Sequence, residues 1–333
     1  MPNHHSTLFS RRQIIASAIA LPVASAGSLP LWAQTRFPER PVTIIVPFAA
    51  AGIADLTARA LAGQMARKLG QPVIVDNRPG AGGISAGQAV ATARPDGHTL
   101  LLMSNANAVS VGLFRRLPFD TVRDFAPVST IGFFDLGIFV SAGSRFARLA
   151  DVVSYARANP GRLNVGTIAI GSTQHLSAKL FETVAGVEFN VVPYRGSPAA
   201  LTALRSGEVD VVFEILGPMI PHITANVTRP LAVTSSSRNQ ALPNVPTVTE
   251  SGVLGYDVSS WNALAAPAGT PQPIIEQLNQ VVRDSLAMPQ VRDQLVGLGM
   301  RLAPSTPAEL QALLGAEIRR WGEVIRVAKI EPE

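Results

Sequence analysis

Four segments of the chain combine glycine with small or polar residues in a pattern that suits anion binding. They span residues 47–55, 77–83, 166–173 and 194–198, and each joins an apolar run to a helical pattern. The first backbone N–H groups of a helix have no partner within it, so they bind a carboxylate or phosphate without needing a charged side chain. The alternative for any single turn is that its glycines serve only tight turning and close packing.

The predicted ligand-binding residues share a position at or beside the end of a strand. They are Phe48, Ala51, Gly52, Asp55, Gly82, Gly83, Ser104, Asn105, Ser172, Thr173, His175, Arg195, Gly196 and Glu214. Ligands of open α/β sheets bind outside the carboxyl ends of the strands, so these turns are expected to face one cleft. A ligand carboxylate is expected to touch Gly82, Gly83, Ser172 and Thr173, with Ser104 and Asn105 at the floor.

Two titratable residues near these turns carry alternative interpretations. Glu214 ends a strand, and at a cleft edge its ionised carboxylate would repel a second ligand carboxylate but accept from a hydroxyl or ammonium group. The alternative is a solvent-facing glutamate without ligand contact. His175 lies near Ser172 and Thr173. The preferred interpretation is a polar residue at a helix start that faces the ligand, and the alternative is a catalytic base.

Motifs for catalysis and cofactor binding are missing. The chain has no cysteine, which excludes disulfides, thiolate metal sites and a cysteine nucleophile. Residues 80–85 fail the dinucleotide-binding pattern at its last glycine, and there is no phosphate loop, nucleophile elbow or zinc-protease helix. We therefore predict no catalytic residue, no metal and no cofactor, and an α/β enzyme is the weakest of three functional interpretations.

Composition and charge disfavour a nucleic-acid partner. Of 333 residues, 47% are hydrophobic and 15% charged, which is typical of a folded globular protein. The formal charge is +5, and it falls to +3 without residues 1–33, which contain Arg11 and Arg12 but no acidic residue or lysine. No basic run with interleaved aromatic residues accompanies that small charge, as nucleic-acid binding would require.

An export signal is predicted at the start of the chain. Arg11 and Arg12 precede an apolar stretch that ends at Ala26 and is too short to span a membrane. The pair resembles a twin-arginine signal, which predicts a signal peptide over residues 1–33. Cleavage after Ala26 or after Ala33 fits the small-residue pattern, and the later site is preferred.

The mature chain alternates strand and helix patterns. Strands are predicted at 42–46, 73–75, 99–103, 163–166, 191–192, 209–213 and 231–234. Helices are predicted at 54–69, 84–93, 149–159, 173–185 and 198–205. This alternation predicts an α/β fold with mostly parallel sheets and helices on both faces.

The region from residue 271 onward reads as almost wholly helical, and its helices need a sheet to cover. The economical solution is a chain that builds one α/β domain, crosses to a second and returns near 259–261 to complete the first. We therefore predict residues 36–136 plus 257–333 as domain I and residues 137–256 as domain II. Two crossings between them make a hinge.

Several motifs together resemble one family. The sequence FPERP at 37–41, the glycine-rich 77–83, PDG at 95–97, VPYRG at 192–196 and APAGTP at 266–271 are similar to signatures of the Bug-type receptors of tripartite tricarboxylate transporters. The resemblance runs nearly end to end. It implies a two-domain periplasmic-binding-protein (Venus-flytrap) fold that closes on a small organic acid, often with ordered water bridging ligand and backbone.

The same resemblance implies a periplasmic location and delivery of the acid to membrane permease subunits, and we expect a monomer. Departures from the family pattern affect specificity. Ala51-Gly52 replaces a usual Gly-Gly pair, His98 replaces a usual tyrosine, and Glu214-Ile215 stands where Asp-Asn is common. The alternative function is a periplasmic sensor that presents its bound ligand to a membrane signalling partner.

Overall fold

The computed structural model describes residues 37–327 and 330–332, so the predicted signal peptide lies outside the described residues. Strands in the described part are β1 (Val42–Val46), β2 (Val73–Asn77), β3 (Thr99–Ser104), β4 (Phe125–Ser141), β5 (Leu163–Ile168), β6 (Phe189–Tyr194), β7 (Val211–Ile215), β8 (Thr228–Val233), β9 (Ser259–Pro267) and β10 (Met300–Leu302). Helices are α1 (Ile53–Leu69), α2 (Ile84–Ala91), α3 (Asn105–Leu113), α4 (Leu149–Ala158), α5 (Thr173–Ala185), α6 (Ser197–Ser206), α7 (Leu216–Thr224), α8 (Gln272–Ala287), α9 (Pro289–Gly297) and α10 (Pro307–Val327).

The strands form one continuous hydrogen-bonded path in the order β2-β1-β3-β9-β4-β7-β5-β6, with β8 and β10 also paired to β4. Strand β4 joins two halves of this path. The first half contains β2, β1, β3 and β9, and the second contains β7, β5 and β6. From Phe125 to Asp135 it pairs with β9, and from Leu136 to Phe139 it pairs with β7. One strand of 17 residues therefore belongs to both halves.

Strand directions are mixed instead of mostly parallel. The strands linked by crossover helices, β1 with β2 and β3 and β5 with β6 and β7, pair in parallel as predicted. Every pair made by β4 or β9 is antiparallel. The difference arises because these two strands carry the chain between the halves, and a strand that returns without a crossover helix runs against its neighbour.

Helix α1 shows how local sequence sets the fold around the site. Ala58, Leu61 and Met65 recur at helical spacing and are completely buried against the sheet. Gly70 ends the helix with a left-handed conformation (φ 69°), and its N–H donates to the carbonyl of Ala66. Such apolar burial contributes roughly 1.5 to 3 kcal/mol for each large side chain.

The C-terminal helices cover the first half of the sheet, as their apolar stripes predict. Helix α10 packs on α3 and β4, and α8 packs on β4 and α1. Trp321 of α10 is fully buried, and its indole Nε1 donates to Glu317 at 2.9 Å. These contacts tie residues after 271 to elements that lie between residues 53 and 141. The predicted division into domains at 136/137 and 256/257 remains a prediction.

Candidate functional site

A cavity, here called the cleft cavity, lies between the turns that follow β1, β3, β5 and β6. Its lining comes from both halves of the sheet and consists of Phe48, Ala49, Gly52, Ile53, Ala54, Ser104, Ile168, Thr173, Gln174, Gly196, Ser197, Ile215, Ser260 and Asn262. Three of the four segments that the sequence singled out, 47–55, 166–173 and 194–198, therefore meet at one place, whereas 77–83 does not line the cavity.

The start of α1 forms one wall of the cleft cavity. Gly52 precedes the helix in an extended conformation (φ −82°, ψ 169°) and has no side chain to cap it. Ile53 and Ala54 follow in the first turn and line the cavity. Their backbone amides belong to the group of N–H donors that a helix leaves without an internal partner.

The starts of α6 and α5 form two further walls. Helix α6 begins after Gly196, which also has no side-chain cap, and Ser197 lines the cavity. Helix α5 begins after Ser172, whose Oγ accepts from the His175 amide at 3.1 Å, while Thr173 lines the cavity. Three helix N-termini therefore converge, and their dipoles together favour a bound anion.

Hydroxyl and amide side chains of the first half complete the polar lining. Ser260 and Asn262 lie two residues apart on β9, so they share one face, and Asn262 pairs in register with Ser104 of β3. The Ser260 and Thr173 hydroxyl oxygens lie 3.0 Å apart, which joins β9 to α5 across the cavity. Asn262 Nδ2 donates to the Trp261 carbonyl, whereas its buried Oδ1 has no partner among the described residues.

A buried carboxyl group, that of Glu214, lies behind the lining residues Gln174 and Ile215. Glu214 is 2% exposed, and its Oε1 accepts from Gln174 Nε2 and from the Ile215 amide, both at 2.7 Å. Burial raises the pKa of Glu214, and hydrogen bonds from Gln174, Ile215 and Ser197 oppose that rise without cancelling it. The neutral form of this carboxyl is therefore favoured beyond its ordinary pH range.

No charged side chain lines the cleft cavity among the described residues. The described part of the chain also contains no cluster of three or more His, Asp or Glu side chains that would suit a metal ion. The arrangement offers backbone N–H groups, hydroxyls and amides to an anion.

A second groove opens beside the cavity and shares Phe48 with it. Arg195 and Tyr194 line this outer groove together with residues 79–81 and 169–170. Tyr194 donates to Glu208 at 2.7 Å, and burial together with this carboxylate raises the pKa of Tyr194 to about 12. Arg195 is exposed here, so it lies at the rim and not within the cleft cavity.

The two turns that flank the outer groove touch each other through backbone. The Gly82 N–H donates to the Ile170 carbonyl at 3.0 Å. A Cβ atom added to Gly171 would lie 3.2 Å from the Gly82 Cα, so this approach leaves little space for a side chain. The contact links the turn after β2 to the turn after β5.

Five of the predicted site residues line the cleft cavity: Phe48, Gly52, Ser104, Thr173 and Gly196. The structure places the other nine, Ala51, Asp55, Gly82, Gly83, Asn105, Ser172, His175, Arg195 and Glu214, outside that lining. Most of these nine support the lining residues from behind.

Asp55 and Ala51 bind each other instead of facing the cavity. Asp55 Oδ2 accepts from the Ala51 amide at 2.9 Å, and Oδ1 accepts from Arg59 Nε at the same distance. Burial alone would raise the pKa of Asp55, but these hydrogen bonds, led by the one from Arg59, outweigh burial and hold it below its ordinary value. The carboxylate therefore fixes the turn before α1.

The expected amide donors at Gly82 and Gly83 are already engaged. Gly82 donates across to Ile170, and Gly83 donates to the Gly80 carbonyl at 3.2 Å. Both residues have positive φ, 59° and 68°, which glycine adopts without strain. Their role in this structure is to shape the turn and to approach the opposite half.

Two further predicted site residues, Asn105 and Ser172, donate to backbone carbonyls, and a third, His175, is largely buried. Asn105 Nδ2 donates to the Ser259 carbonyl at 2.9 Å, and Ser172 Oγ donates to the Ile168 carbonyl at 3.2 Å. Burial, with a smaller contribution from Lys179, lowers the pKa of His175 to about 4. This histidine is therefore neutral at physiological pH.

Glu214 differs from both interpretations offered above. It does not line the cleft cavity, where Gln174 lies instead, and it does not face solvent, because it is 2% exposed. Burial raises its pKa, so ionisation is disfavoured relative to a free glutamate. The strand β7 ends two residues later than predicted, at Ile215 instead of Phe213, and this keeps Glu214 within the sheet.

Sequence reasoning missed the polar lining residues Gln174, Ser197, Ser260 and Asn262. The spacing of Ser260 and Asn262, each next to an apolar residue, is a usable signal for a strand with one polar face. Gln174 and Ser197 adjoin residues that were predicted. Only the fold shows that their side chains meet.

Comparison with known proteins supports the family resemblance found in the sequence. Residues 57–330 match the model of the tripartite tricarboxylate transporter family receptor. BugT of Bordetella pertussis is 35% identical over 315 residues, which cover 94% of this chain and 96% of BugT. These matches confirm the resemblance on which the expected fold was based.

Solved structures agree in fold. An R. palustris protein solved with adipate is 36% identical with a TM-score of 0.85, covering 89% of this chain and all of that one. MatC from Rhodopseudomonas palustris, solved with bound malate, is 34% identical with a TM-score of 0.82, covering 87% of this chain and 100% of MatC. The fold is thus that of the periplasmic binding proteins, which are not enzymes. Strand order, cavity and sequence similarity agree, and the chain belongs to the receptor family of the tripartite tricarboxylate transporters.

Proposed function

We propose that this protein is a periplasmic receptor that binds a small carboxylate-bearing metabolite in the cleft cavity and delivers it to a tripartite-tricarboxylate-type permease. One observation carries the proposal: three helix N-termini meet at a cavity that no charged side chain lines among the described residues. Their unpaired amides supply the positive potential that a carboxylate needs.

Energetic considerations support binding without an arginine. A hydrogen bond to a charged group contributes roughly 1.5 to 3 kcal/mol, and four or five of them supply the roughly 8 kcal/mol of micromolar binding after ordering costs. The amides of Ile53, Ala54, Thr173 and Ser197 are first-turn donors, and the Thr173–Ser260 hydroxyl pair adds one more because one of its two protons is used between them. Burial raises the pKa of Glu214, which disfavours a negative charge behind the cavity.

The ligand class is supported by relatives with similar folds. One was solved with adipate and another with malate, both of which are small dicarboxylates. The cavity of this chain draws its lining from both halves of the sheet, which suits a ligand held between them. We therefore propose a small organic acid as the ligand.

Closure of two domains over the ligand is part of the proposal. The pairing of β4 changes from β9 to β7 between Asp135 and Leu136, close to the predicted boundary at 136/137. The Gly82–Ile170 hydrogen bond and the Thr173–Ser260 hydroxyl contact join elements on opposite sides of that boundary. Both contacts would break on opening, so solution scattering should show compaction when a bound acid is added.

Location and delivery rest on the family and on the predicted signal. The signal over residues 1–33 lies outside the described residues. Within the described part, no helix is long and apolar enough to cross a membrane. Export of the folded chain is tested by replacing Arg11 and Arg12 with lysine. Periplasmic accumulation should stop, and normal accumulation would remove the twin-arginine assignment.

Calorimetry on the purified mature protein tests the binding site. Malate and adipate are titrated into the parent and into Gly52→Leu, which fills the cavity from a position whose φ of −82° any residue adopts. We expect at least about a 100-fold loss of affinity, equivalent to about 2.7 kcal/mol. Gly63→Leu is the matched control, since a Cβ there meets nothing within 4 Å on the exposed side of α1.

Native mass spectrometry of the protein as purified complements that titration, because a co-purified acid identifies the ligand. Equal affinity of parent and Gly52→Leu for that acid would place the site elsewhere. Delivery is tested separately in cells: deleting the gene should abolish uptake of the labelled acid, and Gly52→Leu should fail to restore it.

A further inference from the structure

Gln174 is a cavity residue whose side-chain orientation is set from behind. It is 2% exposed and lines the cleft cavity from the first turn of α5. Its Nε2 donates to Glu214 Oε1 at 2.7 Å, and the same oxygen accepts from the Ile215 amide at 2.7 Å. Since Oε1 accepts from the Ile215 amide, we take it as the unprotonated oxygen of Glu214, and the Gln174 atom facing it is then the NH2 group.

This arrangement determines what Gln174 presents to the cavity. With one N–H of Nε2 held by Glu214, the side chain leaves its second N–H and the carbonyl oxygen Oε1, which only accepts hydrogen bonds. No described residue donates to that oxygen. A ligand that displaces water from this oxygen without supplying a donor loses a hydrogen bond.

The remaining polar lining has a different character. Ile53 and Ala54 present backbone N–H donors, while Thr173 and Ser260 present hydroxyls that donate or accept. A ligand carboxylate, which only accepts, therefore has its partners on the helix starts. Gln174 Oε1 cannot bind that carboxylate and would repel it at hydrogen-bond distance.

We propose that Gln174, oriented by Glu214, selects carboxylates that carry a hydroxyl or protonated amine over the corresponding unsubstituted acids. Gln174 is the specificity residue that contacts the ligand, and Glu214 is a positioning residue that acts through it. The inference rests on the proposed function, because it concerns the same cavity.

The selectivity is tested with acids that differ by one group. Calorimetry compares succinate with malate, propionate with lactate, and succinate with aspartate on the purified parent. The substituted member of a binding pair should bind about tenfold more tightly, as expected for one hydrogen bond made or left unmade. This comparison requires no variant. A parent that binds both members equally, or prefers the unsubstituted acid, overturns the inference.

Variants assign the selectivity to Gln174. Gln174→Leu keeps the volume of the side chain but removes the acceptor, so the affinity ratio should fall to about one while the unsubstituted acid still binds. Thr183→Ala is the control on the same helix, because Thr183 is exposed at its far end and should leave the ratio unchanged. An unchanged ratio in a folded Gln174→Leu protein overturns the inference.

Two substitutions at Glu214 test the positioning role. Glu214→Gln keeps a carbonyl oxygen that accepts from Gln174 and Ile215, so the ratio should persist. Glu214→Leu releases the Gln174 amide, and the ratio should drop although residue 214 does not line the cavity. Loss of the ratio in both, or in neither, contradicts the positioning role. If no acid in the panel binds the parent and none co-purifies, the proposed function itself fails.

Discussion

Helices α1 and α10 both have an acid at their third position that accepts from a backbone amide before the helix, but only α10 has a capping side chain that accepts in return. At α10, Thr306 and Glu309 form a reciprocal capping box: the Glu309 amide donates to Thr306 Oγ1 at 3.2 Å, and the Thr306 amide donates to Glu309 Oε2 at 2.8 Å. At α1 the acid in the equivalent position, Asp55, also reaches back, to the Ala51 amide. The residue before α1 is Gly52, which cannot return the contact.

Helix α1 therefore has an acid that reaches back, to the amide one residue before the capping position, and lacks a side chain that would accept from its first-turn amides. A helix start that serves only stability satisfies its amides internally, because an uncapped start costs roughly 1 kcal/mol. A helix start that serves binding leaves them for the ligand. The contrast locates the anion site more sharply than the glycine content of the turns does.

Completing the box at α1 should have the largest effect. Gly52 already has the extended conformation of a capping residue, so Gly52→Asp places a carboxylate on the first-turn amides. That carboxylate occupies the site of the ligand anion, and affinity for malate or adipate should fall at least about 100-fold in calorimetry. The free energy of unfolding should rise by about 0.5 to 1 kcal/mol.

Gly63→Asp, in the exposed middle of α1, is the matched control and should leave affinity unchanged. A Gly52→Asp protein that gains stability but binds as tightly as the parent would show that the ligand does not use these amides.

Asp55→Asn should produce an intermediate effect on stability that depends on pH. The pKa of Asp55 is lowered in the folded chain, so its stabilisation is present above its ordinary value near 3.8 and is lost as the pH falls through the lower folded value. Denaturant titrations should show a loss of about 1 kcal/mol for the variant at pH 7.

Between pH 5 and pH 2, unfolding curves of parent and Asp55→Asn should converge, because the parent alone loses this carboxylate contribution. Curves that stay parallel over that range would contradict the role of Asp55 in holding the turn before α1.

Breaking the box at α10 should have the smallest effect and none on binding. Thr306→Ala removes the oxygen that accepts the Glu309 amide, and unfolding free energy should fall by about 1 kcal/mol. Thr306→Ser keeps that oxygen and should behave as the parent. A change in malate or adipate affinity in Thr306→Ala would mean that capping at α10 reaches the cavity, against the comparison drawn above.

Local patterns predicted the elements that follow strand-helix alternation. The helix predicted at 54–69 is α1 at Ile53–Leu69, and the helix predicted at 173–185 is α5. The same alternation predicted Gly52, Thr173 and Gly196, because each stands where a strand leads into a helix. These residues line the cavity for the reason given from the sequence.

Other features depend on contacts that local sequence does not encode. Strand β4 was not predicted as one element, because bulges near Pro127 and Thr130 interrupt its alternation and it changes partners along its length. Ser260 and Asn262 reach the cavity only because β9 returns antiparallel to β3. The amides of Gly82 and Gly83 looked free, yet carbonyls of Ile170 and Gly80 engage them.

Strand β4 has a further consequence for how such a gene can change. Because one uninterrupted strand supplies pairing edges to both halves, a break between Asp135 and Leu136 would leave each fragment with unpaired strand edges. Neither half is then a portable module that recombination could exchange as a soluble piece. We therefore expect this chain to change by point substitutions and loop changes, because β4 must stay continuous to pair with both halves.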